Sequence, residues 1–212
     1  MLGSVLFLAA AISAPSLTTA ANKKLFGSYP DWAVLQGKSS AAQVEIVVEP
    51  DGKARSCTIV WFVGDERLAQ ERCTKASRQK FIPAKGLDGQ PTLGTLRTFL
   101  AQWIVDDNDT QSREVSAARP TPDLTLKVDT STLSLTEPLI VKLVFLIDSD
   151  GFVKACTEDQ NQNQGQQTDG RMVEAACEQA AKVAAPILLD RAGAPTAYVI
   201  NSTVRLEPAA AS

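Results

Sequence analysis

The chain has 212 residues, of which 44% are apolar, and its 21 Lys and Arg against 24 Asp and Glu leave a net charge of -3. That length is too great for one small module and suits two with a connection, each near the size at which a core is marginal and a covalent staple matters. A balance so close to neutral excludes the basic footprint of a nucleic-acid binder or of a protein held on an anionic membrane surface.

Met1 to Ala20 carries no charge, holds an apolar run from Val5 to Ile12, and ends Leu17-Thr18-Thr19-Ala20. Small residues at that end predict a signal peptide, 1–20, cleaved after Ala20. The run is short and broken by Pro15, so no membrane insertion is expected once the leader is gone. Residues 21–28 form a short lead to a first module, 29–105.

Within that module Val44, Ile46 and Val48 alternate with Gln43, Glu45 and Val47, the period of a half-buried strand. Pro50-Asp51-Gly52-Lys53 turns the chain, and a second strand runs from Ala54 to about Phe62. Asp65 to Lys80 is polar with Leu68, Cys73 and Ala76 on one side, which predicts a helix facing the strand that carries Cys57. Pro83 is expected to stop it, and Thr92 to Val105 to be extended. Trp61 and Trp103 fall in strands, and Trp32 is expected to pack against the sheet.

A linker, 106–137, contains Asp106-Asp107-Asn108-Asp109 and Arg119-Pro120-Thr121-Pro122 and reads as solvated. The second module, 138–207, begins with the almost wholly apolar Ile140 to Ile147, turns at Ser149-Asp150-Gly151 and returns through Phe152 to Thr157. A polar insert, Glu158 to Gly170, precedes a helix from Arg171 to Ala185 with Met172, Ala176, Cys177, Ala180 and Val183 inside. Pro186 ends it, Ala197 to Leu206 closes the module, and 208–212 is a tail. The fold class is therefore α+β, two tandem modules of hairpin, helix and strand, each an antiparallel sheet with a helix on one face.

The two modules repeat each other. Asp-Gly and the first cysteine recur at an offset of 99, the second cysteine and the Gly-x-Pro-Thr turn at 104, and the proline at 103. Drift of that kind marks a tandem duplication. Four cysteines in an exported chain allow three pairings, and the repeat selects the local ones, Cys57 with Cys73 and Cys156 with Cys177.

Catalysis and metal binding find no support. There is no His, hence no Ser-His-Asp or Cys-His constellation, no imidazole base and no zinc site of the usual type. Asp148-Ser149-Asp150-Gly151 resembles a calcium loop but lacks the downstream glutamate and already serves as a turn. No catalytic residue, cofactor or metal is expected, and the chain is not read as an enzyme.

The order strand, turn, strand, helix, strand, together with Tyr29-Pro30-Asp31-Trp32-Ala33 (Tyr29, Pro30 and Ala33 being the motif positions) and the Asp51-Gly52 turn, resembles the C-terminal domain of TonB, a periplasmic protein of Gram-negative bacteria. The resemblance covers residues 29–105 and, through the repeat, 138–207; the second copy has no Tyr-Pro opening. It implies a periplasmic protein that binds a protein or peptide partner, such as a segment of an outer-membrane receptor, by strand addition. The Pro-rich spacer of an energy transducer does not occur between Ala20 and the first motif.

The resemblance puts the receiving edge on the last strand of each copy. The candidates are Thr95 to Ile104, with Thr95, Leu96, Arg97, Thr98 and Phe99, and Tyr198 to Leu206, with Tyr198, Ile200, Ser202 and Val204. The alternative is that these edges pair with each other, in one chain or across a homodimer. A second function class is a secreted, disulfide-stapled structural protein, or an inhibitor acting through the Glu158 to Gly170 loop.

Overall fold

The computed structural model describes residues 12–27, 29–102, 110–128, 135, 137–160 and 168–208. The apolar run before Ile12, Trp103 and Ile104, the acidic cluster Asp106 to Asp109 and most of the polar insert lie outside the described residues. In chain order the first elements are β1 (Ser16–Leu17), α1 (Thr19–Phe26), α2 (Asp31–Leu35), β2 (Ser40–Val48), β3 (Ala54–Gly64) and α3 (Glu66–Ala76). Then come β4 (Phe81–Ile82), β5 (Ala84–Lys85), β6 (Pro91–Thr92), β7 (Gly94–Gln102), α4 (Thr110–Ala117) and β8 (Leu124–Val128). The chain continues through β9 (Leu139–Ile147), β10 (Val153–Glu158), α5 (Gly170–Ala180), β11 (Leu188–Leu189), β12 (Pro195–Thr196) and β13 (Tyr198–Pro208). The class is α+β.

These elements form two compact units. The first comprises Pro15–Pro83 and Leu93–Thr121, and the second Met1–Ala14, Ala84–Thr92 and Pro122–Ser212. The stretch 106–137 is not wholly a linker, since it holds α4 and β8.

In the first unit β2 lies between β3 and β7, antiparallel to both. Its even-numbered residues Ala42, Val44, Ile46 and Val48 are buried with Leu96, Leu100 and Phe81 against Ala69, Cys73 and Ala76 of α3. Each large aliphatic side chain so covered contributes about 1.5–3 kcal/mol. Asp65 starts α3 by accepting a hydrogen bond from the Leu68 N–H, a side-chain cap. The helix ends at Ala76, well before Pro83. What ends it is tertiary pairing: the chain turns at Ser77 to Gln79 so that the Phe81 N–H can donate to the Gly52 carbonyl and β4 can pair with β1.

The other face of this sheet is polar and aromatic. Trp61 and Phe99 flank Gln43 with ring centroids 5.8 Å apart, and Arg97 reaches Glu45 at 2.8 Å. Gln43 accepts from Trp61 Nε1 and from the Thr121 N–H, and donates to the Thr121 carbonyl, holding the middle of the 106–137 stretch on the sheet.

In the second unit β9 lies between β10 and β13, and β8 joins β13 in parallel. Phe145 stands opposite Cys156, so Val141, Leu143, Phe145 and Ile147, all buried, share the face that α5 is bridged to. Val144 on the opposite face packs with Ile12, Ala14, Ala84, Ala155 and Val199. A strand covered on both faces needs apolar residues at successive positions, which explains the unbroken run from Leu143 to Ile147.

Registers recur between units. Ile46 faces Cys57 and Leu96, while Phe145 faces Cys156 and Ile200. The Phe81 N–H to Gly52 carbonyl bond has its counterpart in the Ala185 N–H to Gly151 carbonyl bond. As in the first unit, α5 stops at Ala180, short of Pro186, and Val183 is exposed.

Residues 12–20, assigned from sequence to a leader, are part of this architecture. The Ser13 and Lys85 backbones exchange both hydrogen bonds. Thr18 caps α1 through the Ala21 N–H, and Ala21 and Leu25 on that helix are buried.

Candidate functional site

The free sheet edges fall on the second strand of each hairpin. Among the described residues β3 has β2 as its single hydrogen-bonded neighbour, and β10 has β9. An unpaired strand edge presents a row of main-chain donors and acceptors. On β3 the ladder to β2 shifts register at two places, which leaves Arg55 and Val60 as bulge residues around a regular stretch from Ser56 to Ile59. On β10 a shift leaves Lys154 as the bulge, followed by a regular stretch from Ala155 to Glu158. Such bulges bend an edge and stop pairing from running along it.

Two of these three bulge residues, Arg55 and Lys154, are cations paired with the acid that directly follows the preceding strand. Arg55 Nε lies 2.6 Å from Glu49 Oε1, with Glu49 nearly buried, and Lys154 Nζ lies 3.0 Å from Asp148 Oδ2. Asp148 also accepts from the N–H groups of Asp150 and Phe152. The Phe152 N–H is the main cause holding its carboxyl below the usual range, with burial opposing and Lys154 assisting.

Beside each edge runs a groove whose other wall is the helix. In the first unit Ser56, Thr58 and Ile59 face Gln70 and Thr74 across a space of about 630 Å³, with Cys57 and Cys73 between them. In the second unit Thr157 faces Val173 and Glu174 across about 200 Å³, with Cys156 and Cys177 in the same position. Both cysteine pairs form the disulfides expected from the repeat, with Cα separations of 5.5 and 5.7 Å. Each bridge ties an edge strand to the helix beside it.

The structure thus moves the open edge away from the last strands. Thr95 and Leu96 are buried on β7, which pairs with β2. Arg97 is held by Glu45, Thr98 stands opposite Val44, and Phe99 opposite Gln43. Tyr198 is buried and its hydroxyl donates to the Pro186 carbonyl. Ile200 is half-buried between its neighbours, Ser202 is buried, and Val204 has β9 on one side and β8 on the other. The last strands were expected to be the edge because the family resemblance implies it. The return of β8 alongside β13, which nothing in the local pattern announced, closes that edge from Val204 onward.

The Tyr-Pro motif does structural work on α3 rather than on the sheet. Tyr29 donates to the Lys38 carbonyl, Pro30 precedes α2, and Ala33 of that helix is fully buried. Trp32 donates from Nε1 to Glu71 at 3.0 Å while the Arg67 guanidinium lies 4.0 Å above its ring. Buried Arg72 donates to the Leu25 carbonyl, and burial pushes its pKa down to about 10. Burial likewise raises the Tyr29 phenol. The position equivalent to Arg72 in α5 is Ala176, and β8 packs on that helix instead. Asp51 and Gly52 form the β2–β3 turn, Gly52 at φ 79° with its Cα facing the Phe81 carbonyl.

Sequence reading missed Glu49, Arg55, Gln70 and Thr74. The recurrence of an acid and a base six residues apart, Glu49 with Arg55 and Asp148 with Lys154, was the available signal for the first two. Among the described residues no helix is long and apolar enough to cross a membrane.

No known protein family matches the chain, and no curated protein shows detectable sequence similarity to it. Among solved structures, the TonB C-terminal domain of Helicobacter pylori, residues 179–285, is similar at 16% identity over 43% of this chain and 87% of that one, with a TM-score of 0.29.

Proposed function

We propose that this chain is an exported protein-interaction module that captures an extended segment of a partner protein by strand addition at β3 and at β10. The observation that carries the reading is the matched arrangement of an open, bulge-bounded edge beside a helix-walled groove in both units. Main-chain groups of the edge would supply affinity, and the groove would receive alternate side chains of the added strand. Four regular residues, Ser56 to Ile59, span about 13 Å of strand, enough for a short peptide. Two disulfides that use every cysteine support an oxidising compartment, which for a Gram-negative cell is the periplasm. A segment of an outer-membrane receptor is the partner that the Tyr-Pro and Asp-Gly resemblance implies.

The test is selection of peptides from a displayed random library against the oxidised protein, followed by amide mapping of the bound state by NMR. Shift changes and slowed exchange centred on Ser56 to Ile59 or Ala155 to Glu158 are expected. Peptides that bind while leaving both edges unperturbed, or no peptide binding at all, would refute strand addition at these edges.

A further inference from the structure

We propose that the β10 groove selects a partner strand carrying a lysine or arginine, and that Glu174 is the residue that makes the selection. The inference rests on strand addition at the two edges and names the side chain that one of them favours.

The two disulfides give a common register for comparing the grooves. Thr58 follows Cys57 as Thr157 follows Cys156, so the strand walls carry the same residue at this point. On the helix wall, Gln70 stands three residues before Cys73 and Glu174 three before Cys177, and both line their grooves. Residues three apart are neighbours on a helix surface, so each side chain lies on the face that the bridge holds against the strand. The equivalent position is an amide in one unit and a carboxylate in the other.

The surroundings of the two side chains differ in the same sense. Around Gln70, Ser56, Thr58 and Thr74 supply hydroxyls, and Arg55, the charged member of the lining, is held by Glu49. Gln70 itself gives an amide hydrogen to Glu66 at 3.0 Å. Around Glu174 the cations are already engaged: Arg171 lies 2.7 Å from Asp169, Lys154 lies 3.0 Å from Asp148, and Lys182 donates to Gln179. Glu174 is exposed and has neither a hydrogen bond from its side chain nor an ion pair among the described residues. The space of about 200 Å³ beside it is bounded by Val173. An apolar wall with a carboxylate next to it suits the aliphatic stem and charged head of a Lys or Arg. An acidic side chain would be repelled, and an amide would gain less.

The experiment selects heptapeptides from a displayed random library on the oxidised full chain and assigns each to β3 or β10 by amide shift changes. Peptides that perturb Ala155 to Glu158 should carry a Lys or Arg, and those that perturb Ser56 to Ile59 should show no such enrichment. Glu174→Gln should weaken the basic peptides about fivefold at low salt, and about 1 M salt should do the same to the parent. Gln70→Glu should give β3 the preference that it lacks, and with the salt series it keeps the test decisive if Glu174→Gln does not fold. Peptides bound at β10 without a basic residue, or basic peptides indifferent to both Glu174→Gln and salt, overturn the inference and leave strand addition standing. Binding confined to β3 does the same. Peptides that perturb neither edge overturn strand addition, and this inference with it.

Discussion

Removal of one disulfide at a time tests whether the bridges stabilise the fold as their position implies. Cys57 and Cys73 are 16 residues apart, and Cys156 and Cys177 are 21 apart. On the chain-entropy account, loops of this size restrict the unfolded chain by about 3 kcal/mol each, with the longer loop worth only a few tenths more. For a chain of this length about 3 kcal/mol corresponds to a fall of roughly 6–12 °C in melting temperature. Replacing both partners with Ala avoids a stray thiol, so the variants are Cys57→Ala with Cys73→Ala, and Cys156→Ala with Cys177→Ala. Cys73 and Cys177 are both almost fully buried, so each pair also loses comparable packing, and the two variants should be destabilised by similar amounts. Calorimetry and urea unfolding of oxidised protein measure this. A double variant within about 2 °C of the parent would refute the idea that a bridge from edge strand to helix holds its unit together. An intermolecular or Cys57–Cys156 bridge in the parent would refute the pairing.

Gly52→Ala should cost about 3 kcal/mol, because a Cβ there meets the Phe81 carbonyl oxygen at 2.5 Å on a backbone already at positive φ. Gly89→Ala, also at positive φ but with open space around it, should cost only about 1 kcal/mol; equal losses in urea unfolding would contradict the close approach. Trp32→Phe keeps a ring beneath Arg67 but loses the bond to Glu71, and a loss of about 1 kcal/mol is expected. Asp148 has its pKa lowered in the folded state, so its stabilising effect is present above the ordinary carboxylate value and fades as pH falls through the lower folded one. Asp148→Asn should therefore blunt the loss of stability below about pH 4, and an unchanged acid-unfolding curve would remove Asp148 from the account.

Much of the fold was legible because period and punctuation agreed. The alternation around Val44, the Asp-Gly turns and the spacing of Leu68, Cys73 and Ala76 each name an element that the structure contains. Helix ends were misread because Pro83 and Pro186 look like stops, whereas long-range bonds to the carbonyls of Gly52 and Gly151 draw the chain away earlier. Trp32 was expected on the sheet, since nothing local shows that Glu71 and Arg67 would meet it on α3. The free edges were the largest miss. Which strand ends a sheet depends on pairings between distant segments, and the pattern within a strand is silent on them.

The bridge from edge strand to helix has a kinetic side. A groove whose two walls are covalently joined is restrained from spreading as the protein fluctuates, so part of its ordering entropy is spent on folding and not on encounter. A peptide docking at β3 would then associate at a rate set by its own extension, and reduction of Cys57 to Cys73 would slow association as well as hasten release. The same holds at β10, where the smaller groove leaves less room for a side chain to search for its seat.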